Sequence, residues 1–208
     1  GQEAISSGLN SFIFALILVL IYISFYYGGA GLTANVALLV NIFFIFGVLS
    51  SLGAVLTLPG IAGIILTIGM SIDANVLIYE RIREEIKNGK GLKLAISDGY
   101  NSAYSSIIDA NVTTLLTGII LYTFGTGPIK GFATTLVIGI LTSLFAAIFI
   151  TRLIISARLL KGKTISFATR ITEGAFQNMN IDFFTKRKVF YVLSSVVLLL
   201  GIGSLFTK

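Results

Sequence analysis

The chain opens on an apolar stretch that no charge interrupts: between Glu3 and Asp73 there is no Asp, Glu, Lys or Arg. Runs of about 20 apolar residues, the length of helix that crosses a bilayer's hydrocarbon core, recur six times. They fall at 8–27, 33–52, 59–79, 104–124, 132–154 and 188–206. Helix-ending residues stand between them. Gly28-Gly29-Ala30-Gly31 separates the first two runs, and Gly125-Thr126-Gly127-Pro128 divides the fourth from the fifth. Pro59 begins the third, where a missing N–H is tolerated. The pattern predicts an all-α polytopic membrane protein with six transmembrane helices.

The polar positions set its orientation. Arg81, Arg83, Lys87, Lys90 and Lys93 follow the third run; Arg152, Arg158, Lys161, Lys163, Arg170, Lys186, Arg187 and Lys188 lie from the end of the fifth to the start of the sixth. Of the 15 basic residues, only Lys130 and Lys208 lie elsewhere. If every run crosses, both basic stretches share one side, and the excess of Lys and Arg makes that side cytoplasmic. Both chain ends then lie on the outer face. This predicts an earlier span and an exported domain before Gly1, and another exported segment after Lys208. The stretch from 158 to 186 has no spanning run and reads as a cytoplasmic linker, with a short interfacial helix around 167–176. The expected division is a five-span unit over 1–160, a linker over 161–180, and a new unit over 181–208 that opens with the sixth span.

Composition agrees and removes several kinds of chemistry. Charged residues make up 12% of the chain and mean hydropathy is +0.96; soluble domains carry about 25% charged residues. There is no cysteine, which excludes disulfides and thiolate metal sites, and no histidine, the commonest metal ligand and pH switch. Proton chemistry must therefore run on carboxylates, and neither a metal site nor a cofactor is expected. The net charge of +6 is accounted for by cytoplasmic loops and gives no reason to expect nucleic acid. The opening GQEAISSGLN lacks the basic start of a signal peptide.

The first candidate is Asp73, inside the apolar run of the third span, because an aspartate within a bilayer costs about 2.5–3.5 kcal/mol on insertion scales. It begins the tetrapeptide Asp-Ala-Asn-Val (73–76), which recurs at Asp109 (109–112) in the fourth span. Measured from the cytoplasmic ends of their spans, the two acids lie at depths of roughly 10 and 8 Å. Burial raises a carboxyl pKa and a second acid nearby raises one of the pair further, so the expectation is a proton relay of Asp73 and Asp109. Asn75 and Asn111, two residues on, lie on other helical faces and are expected to bond to neighbouring helices. Asn75, Asn111 and Thr113 form a possible polar path, which Thr114 and Thr117 could extend, although Thr in membrane helices commonly bonds its own i−4 carbonyl. The structural alternative is that each Asp simply satisfies a helix partner. Glu80–Lys87 reads as a solvated helix anchoring the third span, with Arg81 and Glu85 paired at i,i+4, or as a docking surface. The glycines serve close packing.

Taken together, Leu58–Lys87, IIDANVTTLL (107–116), FGTGPIKGFATTL (124–136) and TRLI (151–154) resemble the membrane domain of the SecD proteins, and IDFFTKRKVFYVLSSVVLLLGIGSLF (181–206) resembles the start of SecF. SecD and SecF belong to the resistance–nodulation–division superfamily. The resemblance covers most of 8–160 and then the last span, as in a fused SecDF chain joined at about 161–180. It implies a partial bundle of the superfamily's type in the bacterial inner membrane. It also implies a subunit of the Sec export machinery that uses the proton gradient, or sodium as in some marine relatives, to assist late preprotein translocation. Partners would be the Sec translocation channel and its accessory subunits, the preprotein, and the remaining SecD and SecF segments. The family's key intramembrane Asp falls on Asp73, and an Asp of the following span on Asp109. Its other relay groups, an Asp and an Arg, belong to later SecF spans, so this chain alone cannot complete a proton path.

Three other readings compete. An intramembrane aspartyl protease also places two acids on adjacent helices, but its Gly-x-Gly-Asp pattern is missing: Met70-Ser71-Ile72 precedes Asp73 and Ser106-Ile107-Ile108 precedes Asp109. The other two are an exporter of lipids or drugs from the same superfamily, and a scaffold subunit whose acids are structural. The expectation is a transport subunit and not an enzyme.

Overall fold

The computed structural model describes residues 2–174, 184 and 186–206, and every regular element among them is helical. The helices are α1 (Gln2–Tyr27), α2 (Gly29–Ser51), α3 (Leu58–Lys87), α4 (Leu92–Phe124), α5 (Pro128–Phe145), α6 (Thr151–Leu160) and α7 (Arg187–Phe206). A π-helical turn, Ala146–Ile150, joins α5 to α6 as one rod. Six stretches are long and apolar enough to cross a membrane. The chain forms two compact units, Gly1–Glu173 and Gly174–Lys208. The first holds five antiparallel spans; the second holds α7.

Local chemistry explains the boundaries. The Thr57 hydroxyl accepts from the Gly60 amide at 3.2 Å and Pro59 occupies the first turn, so α3 starts with a cap and a fixed φ. One residue, Gly28 at φ 57°, makes the whole turn between α1 and α2. The expected four-residue break is shorter because Gly31, inside α2, lies against the Ile23 backbone, where a Cβ would collide.

Several spans are longer than their apolar runs. α4 starts at Leu92, twelve residues before the expected 104, and α5–α6 runs to Leu160, beyond the expected 154. The added part of α4 is amphipathic. Ala95, Ile96, Gly99, Tyr100 and Ala103 are buried, and the first turns pack on Ile78, Tyr79 and Ile82 of α3. Gly99 sits on the Ile82 backbone, where a Cβ would meet N and Cα at 2.8 and 2.9 Å. Tertiary packing, not hydropathy, extends the helix.

Two apolar clusters fill the first unit. The one at the end carrying the basic residues includes Ile23, Ile78, Tyr79, Ile82, Tyr100, Ile155 and Phe167; the other includes Phe12, Leu38, Ile45, Ile64, Ile68 and Ile138. Large side chains such as Phe14, Phe43 and Leu116 point outward, as expected of a lipid-facing surface. Among the helix pairs, α3 and α5 pack most extensively. Gly63 faces Thr135, and Gly139 faces Thr67, each too close to admit a Cβ without a shift. Along that seam the hydroxyls of Thr67, Thr135 and Ser143 donate within their own helices, to the carbonyls of Ile64, Phe132 and Ile140 at 2.9 Å each.

The start of the expected linker is docked on the bundle. Ile165 and Phe167 are buried, with Phe167 edge-on to Tyr79 at 5.6 Å. The Ser166 carbonyl and hydroxyl accept from the amides of Ala30 and Gly29 at 2.9 and 3.0 Å, capping α2. The Thr172 hydroxyl donates to the Tyr26 carbonyl at 2.7 Å, and Arg83 donates to the Thr172 carbonyl at 3.1 Å. Where an interfacial helix was expected, residues 167–174 form turns held by these bonds; 175 and 176 lie outside the described residues.

Candidate functional site

Asp73 stands near the midpoint of α3 and Asp109 near the midpoint of α4. The two helices are antiparallel neighbours, so the two Asp-Ala-Asn-Val segments run past each other. Met70, Asp73, Ala74 and Leu77 of α3 line one wall of a cleft of about 150 Å³; Ser106, Ile107, Ala110 and Asn111 of α4 line the other. The structure therefore sets Asp73 opposite the Ala-Asn of the second motif and leaves Asp109 outside the cleft. Both acids are exposed on the flank of the bundle. Among the described residues nothing buries either acid, although both stand in apolar runs.

The asparagines divide differently from the acids. Both are buried, Asn75 at 2% exposure and Asn111 at 6%. Each amide nitrogen donates to a carbonyl four residues back in its own helix: Asn75 to Ser71 at 3.0 Å, Asn111 to Ile107 at 2.8 Å. Only Asn75 reaches another helix, its Oδ1 accepting from the Thr151 hydroxyl at 2.9 Å. The Asn111 Oδ1 has no hydrogen-bond partner among the described residues.

The threonines of the possible polar path bond within their own helix. Thr113, Thr114 and Thr117 donate to the carbonyls of Asp109, Ala110 and Thr113 at 3.0–3.1 Å. Each hydroxyl hydrogen is thus held by its own helix, the usual behaviour of Thr in an apolar medium.

The charged end of α3 also departs from its expected pairing. Arg81 bonds Glu84 at 2.8 Å rather than Glu85, because i,i+3 neighbours meet as readily as i,i+4. Glu85 instead joins Lys90, which bridges to Asp98 of α4, at 2.6 and 2.7 Å. These bonds, to Asp98 first and Glu85 second, raise the Lys90 pKa above the ordinary lysine value. Glu80 accepts from Tyr27 at 2.9 Å and from Arg83 at 2.7 Å, and Arg83 lies 5.7 Å from the Tyr26 ring centroid. No group of three metal-ligating side chains converges among the described residues.

Thr151 and Ser106 are the residues that sequence reasoning passed over. Ser106 carries no signal beyond lying three residues before Asp109. Thr151 lies in the TRLI segment, but its partner depends on a π turn that no pattern of apolar residues marks.

Comparison with known proteins bears on the family and the fold. The family described as Protein export membrane protein SecD/SecF, C-terminal, matches residues 1–160. The protein translocase subunit SecD of Rhodothermus marinus is 55% identical over 163 residues, covering 78% of this chain and 26% of the relative. The SecD of Desulfurispirillum indicum is 57% identical over 154 residues, covering 74% and 30%. This chain thus spans less than a third of either relative. Among solved structures, the translocon-associated membrane protein SecDF of Thermus thermophilus superposes with a TM-score of 0.85 at 35% identity, over 100% of this chain and 28% of that one.

Proposed function

Because this chain belongs to the SecD/SecF C-terminal family of protein-export membrane proteins, we propose that it is the multi-span membrane part of an export subunit that couples an ion gradient to preprotein translocation. Asp73 is the ion carrier. The observation that carries this reading is the exposure of its carboxyl in a cleft that Ser106 and Asn111 also line, at the midpoint of a membrane helix. A carboxylate left against lipid costs several kcal/mol, so that flank is covered by further protein or reached by water. Either gives the acid an exchange route. Asp109, exposed but outside the cleft, is a secondary station.

The groups that complete the path lie in spans outside this chain, and the translocation channel and the preprotein are its partners in the inner membrane. We read the basic end of the bundle as the cytoplasmic one and both chain ends as periplasmic, from the excess of Lys and Arg in the sequence. The test is Asp73→Asn in the full-length protein, assayed by preprotein export into vesicles with and without a proton gradient. Gradient-stimulated export is expected to fall to the ungated level while the complex still assembles. Undiminished stimulation would overturn the assignment. Stimulation that follows an imposed sodium gradient and ignores the proton gradient would assign sodium as the ion.

A further inference from the structure

Asp73 and Asn75 lie two residues apart, about 200° around the helix. One is exposed beside the cleft and the other is buried against α6. Whatever fixes Asn75 therefore fixes the direction in which Asp73 points. Most of the α3–α5 seam does not fix rotation by hydrogen bonding. Thr67, Thr135 and Ser143 bond only within their own helices, so the seam holds by close contact of small residues. The Thr151–Asn75 bond links the two rods directly, and Thr151 is fully buried.

Thr151 reaches that place because of the π turn. Its amide and hydroxyl both approach the Ala146 carbonyl, five residues back. A π turn inserts one residue into the helical count, which rotates everything after it by about 100° relative to a continuous α-helix. Without it, Thr151 would leave the Asn75 side of the rod. Such turns are costly and concentrate at functional sites.

We propose that Thr151, aimed by the π turn, is a positioning residue that pins α3 through Asn75 and thereby holds Asp73 toward the cleft. The bond acts on the orientation of Asp73 and takes no part in ion transfer. Its importance for transport rests on the reading of Asp73 as carrier; its effect on orientation does not.

The test uses the full-length protein in membrane vesicles with one cysteine placed at position 73, on the α3 wall of the cleft, or at 106 or 110, on the α4 wall. The readout is the rate of labelling by a small maleimide. Thr151→Val, which keeps the shape and removes the donor, is expected to slow labelling at 73 relative to 106 and 110 by about fivefold, the population change one buried hydrogen bond supports. Thr151→Ser is expected to restore it. Unchanged relative rates in Thr151→Val would overturn the proposal, as would a Ser variant that behaves like Val. Should Thr151→Val not insert, Asn75→Leu removes the same bond from the other side and is read in the same way; failure of both to insert would make the pair purely structural and overturn positioning. Labelling requires no export, so an Asp73→Asn protein with full gradient response would remove the carrier assignment without touching this result.

Discussion

The two sides of α3 handle polarity in opposite ways. Toward α5 and α6, its polar groups are small and buried: Thr67 bonds within its own helix, Asn75 is held from both ends, and the Ser71 hydroxyl has no hydrogen-bond partner among the described residues. Toward α4, the polar group is the carboxyl of Asp73 at a cleft, with no side chain bonded to it among the described residues. The first side builds the bundle, because hydroxyls satisfied within their own helix let backbones approach without leaving donors exposed to lipid. The second side leaves a charge available. A membrane protein gains little from a buried ion pair that merely breaks even, so the unpaired acid points to function where the seam points to assembly.

The largest break in this contrast is expected at the seam. Gly63→Leu drives a side chain into Thr135 and the Phe132 carbonyl oxygen, which already lies 3.0 Å from a Cβ. Overpacking of this kind destabilises by about 1–3 kcal/mol or more, so the variant is expected to lose much of its folded yield in detergent. Normal yield would mean that the rods are not closely fitted. A double-mutant cycle between Asn75→Leu and Thr151→Val comes next. Its coupling, from melting of the purified full-length protein, is expected at about 0.6 kcal/mol and at most about 1.7, the range for hydrogen bonds between membrane helices. Zero coupling would remove the link between the two sides.

On the flank, Thr113→Val and Thr117→Val are expected to change stability by less than about 0.5 kcal/mol, as exposed sites do, and to leave gradient-stimulated export intact. A loss of export would restore the threonines to the ion path. The smallest effect is expected at the solvated hairpin, where Lys90 ties α3 to α4 below the cleft. Its pKa is raised in the fold, so its contribution is complete below the ordinary lysine value of 10.5 and fades as pH rises through the higher folded value. The difference in melting temperature between the wild type and Lys90→Met should stay constant to about pH 10 and shrink above it; a constant difference at higher pH would remove Lys90 from the link.

Much of this was legible in the residues. The six apolar runs, their breaks at Gly28, Pro59 and Gly125–Pro128, and the repeated Asp-Ala-Asn-Val were visible because membrane helices must satisfy their backbone internally and hide charge, which leaves long uninterrupted signatures. Helix ends were less legible. The first three turns of α4 are too polar to read as a span, yet Gly99 and Tyr100 bury them on α3. The docked segment at Ser166 and Thr172 was equally hidden, since its bonds go to backbone groups of α1 and α2 that any residue provides.

What the sequence determined by itself was the set of spans, the sidedness of their charge and the identity of the costly acids, because each follows from transfer free energies that act residue by residue. Which way those acids face was decided only by the tertiary structure. Asp73 and Asn75 share a motif and a helix, and a difference of two residues sends one to the cleft and the other to Thr151. That outcome depends on the rotation of α3, which is set by glycine contacts and by one extra residue in a turn of another helix.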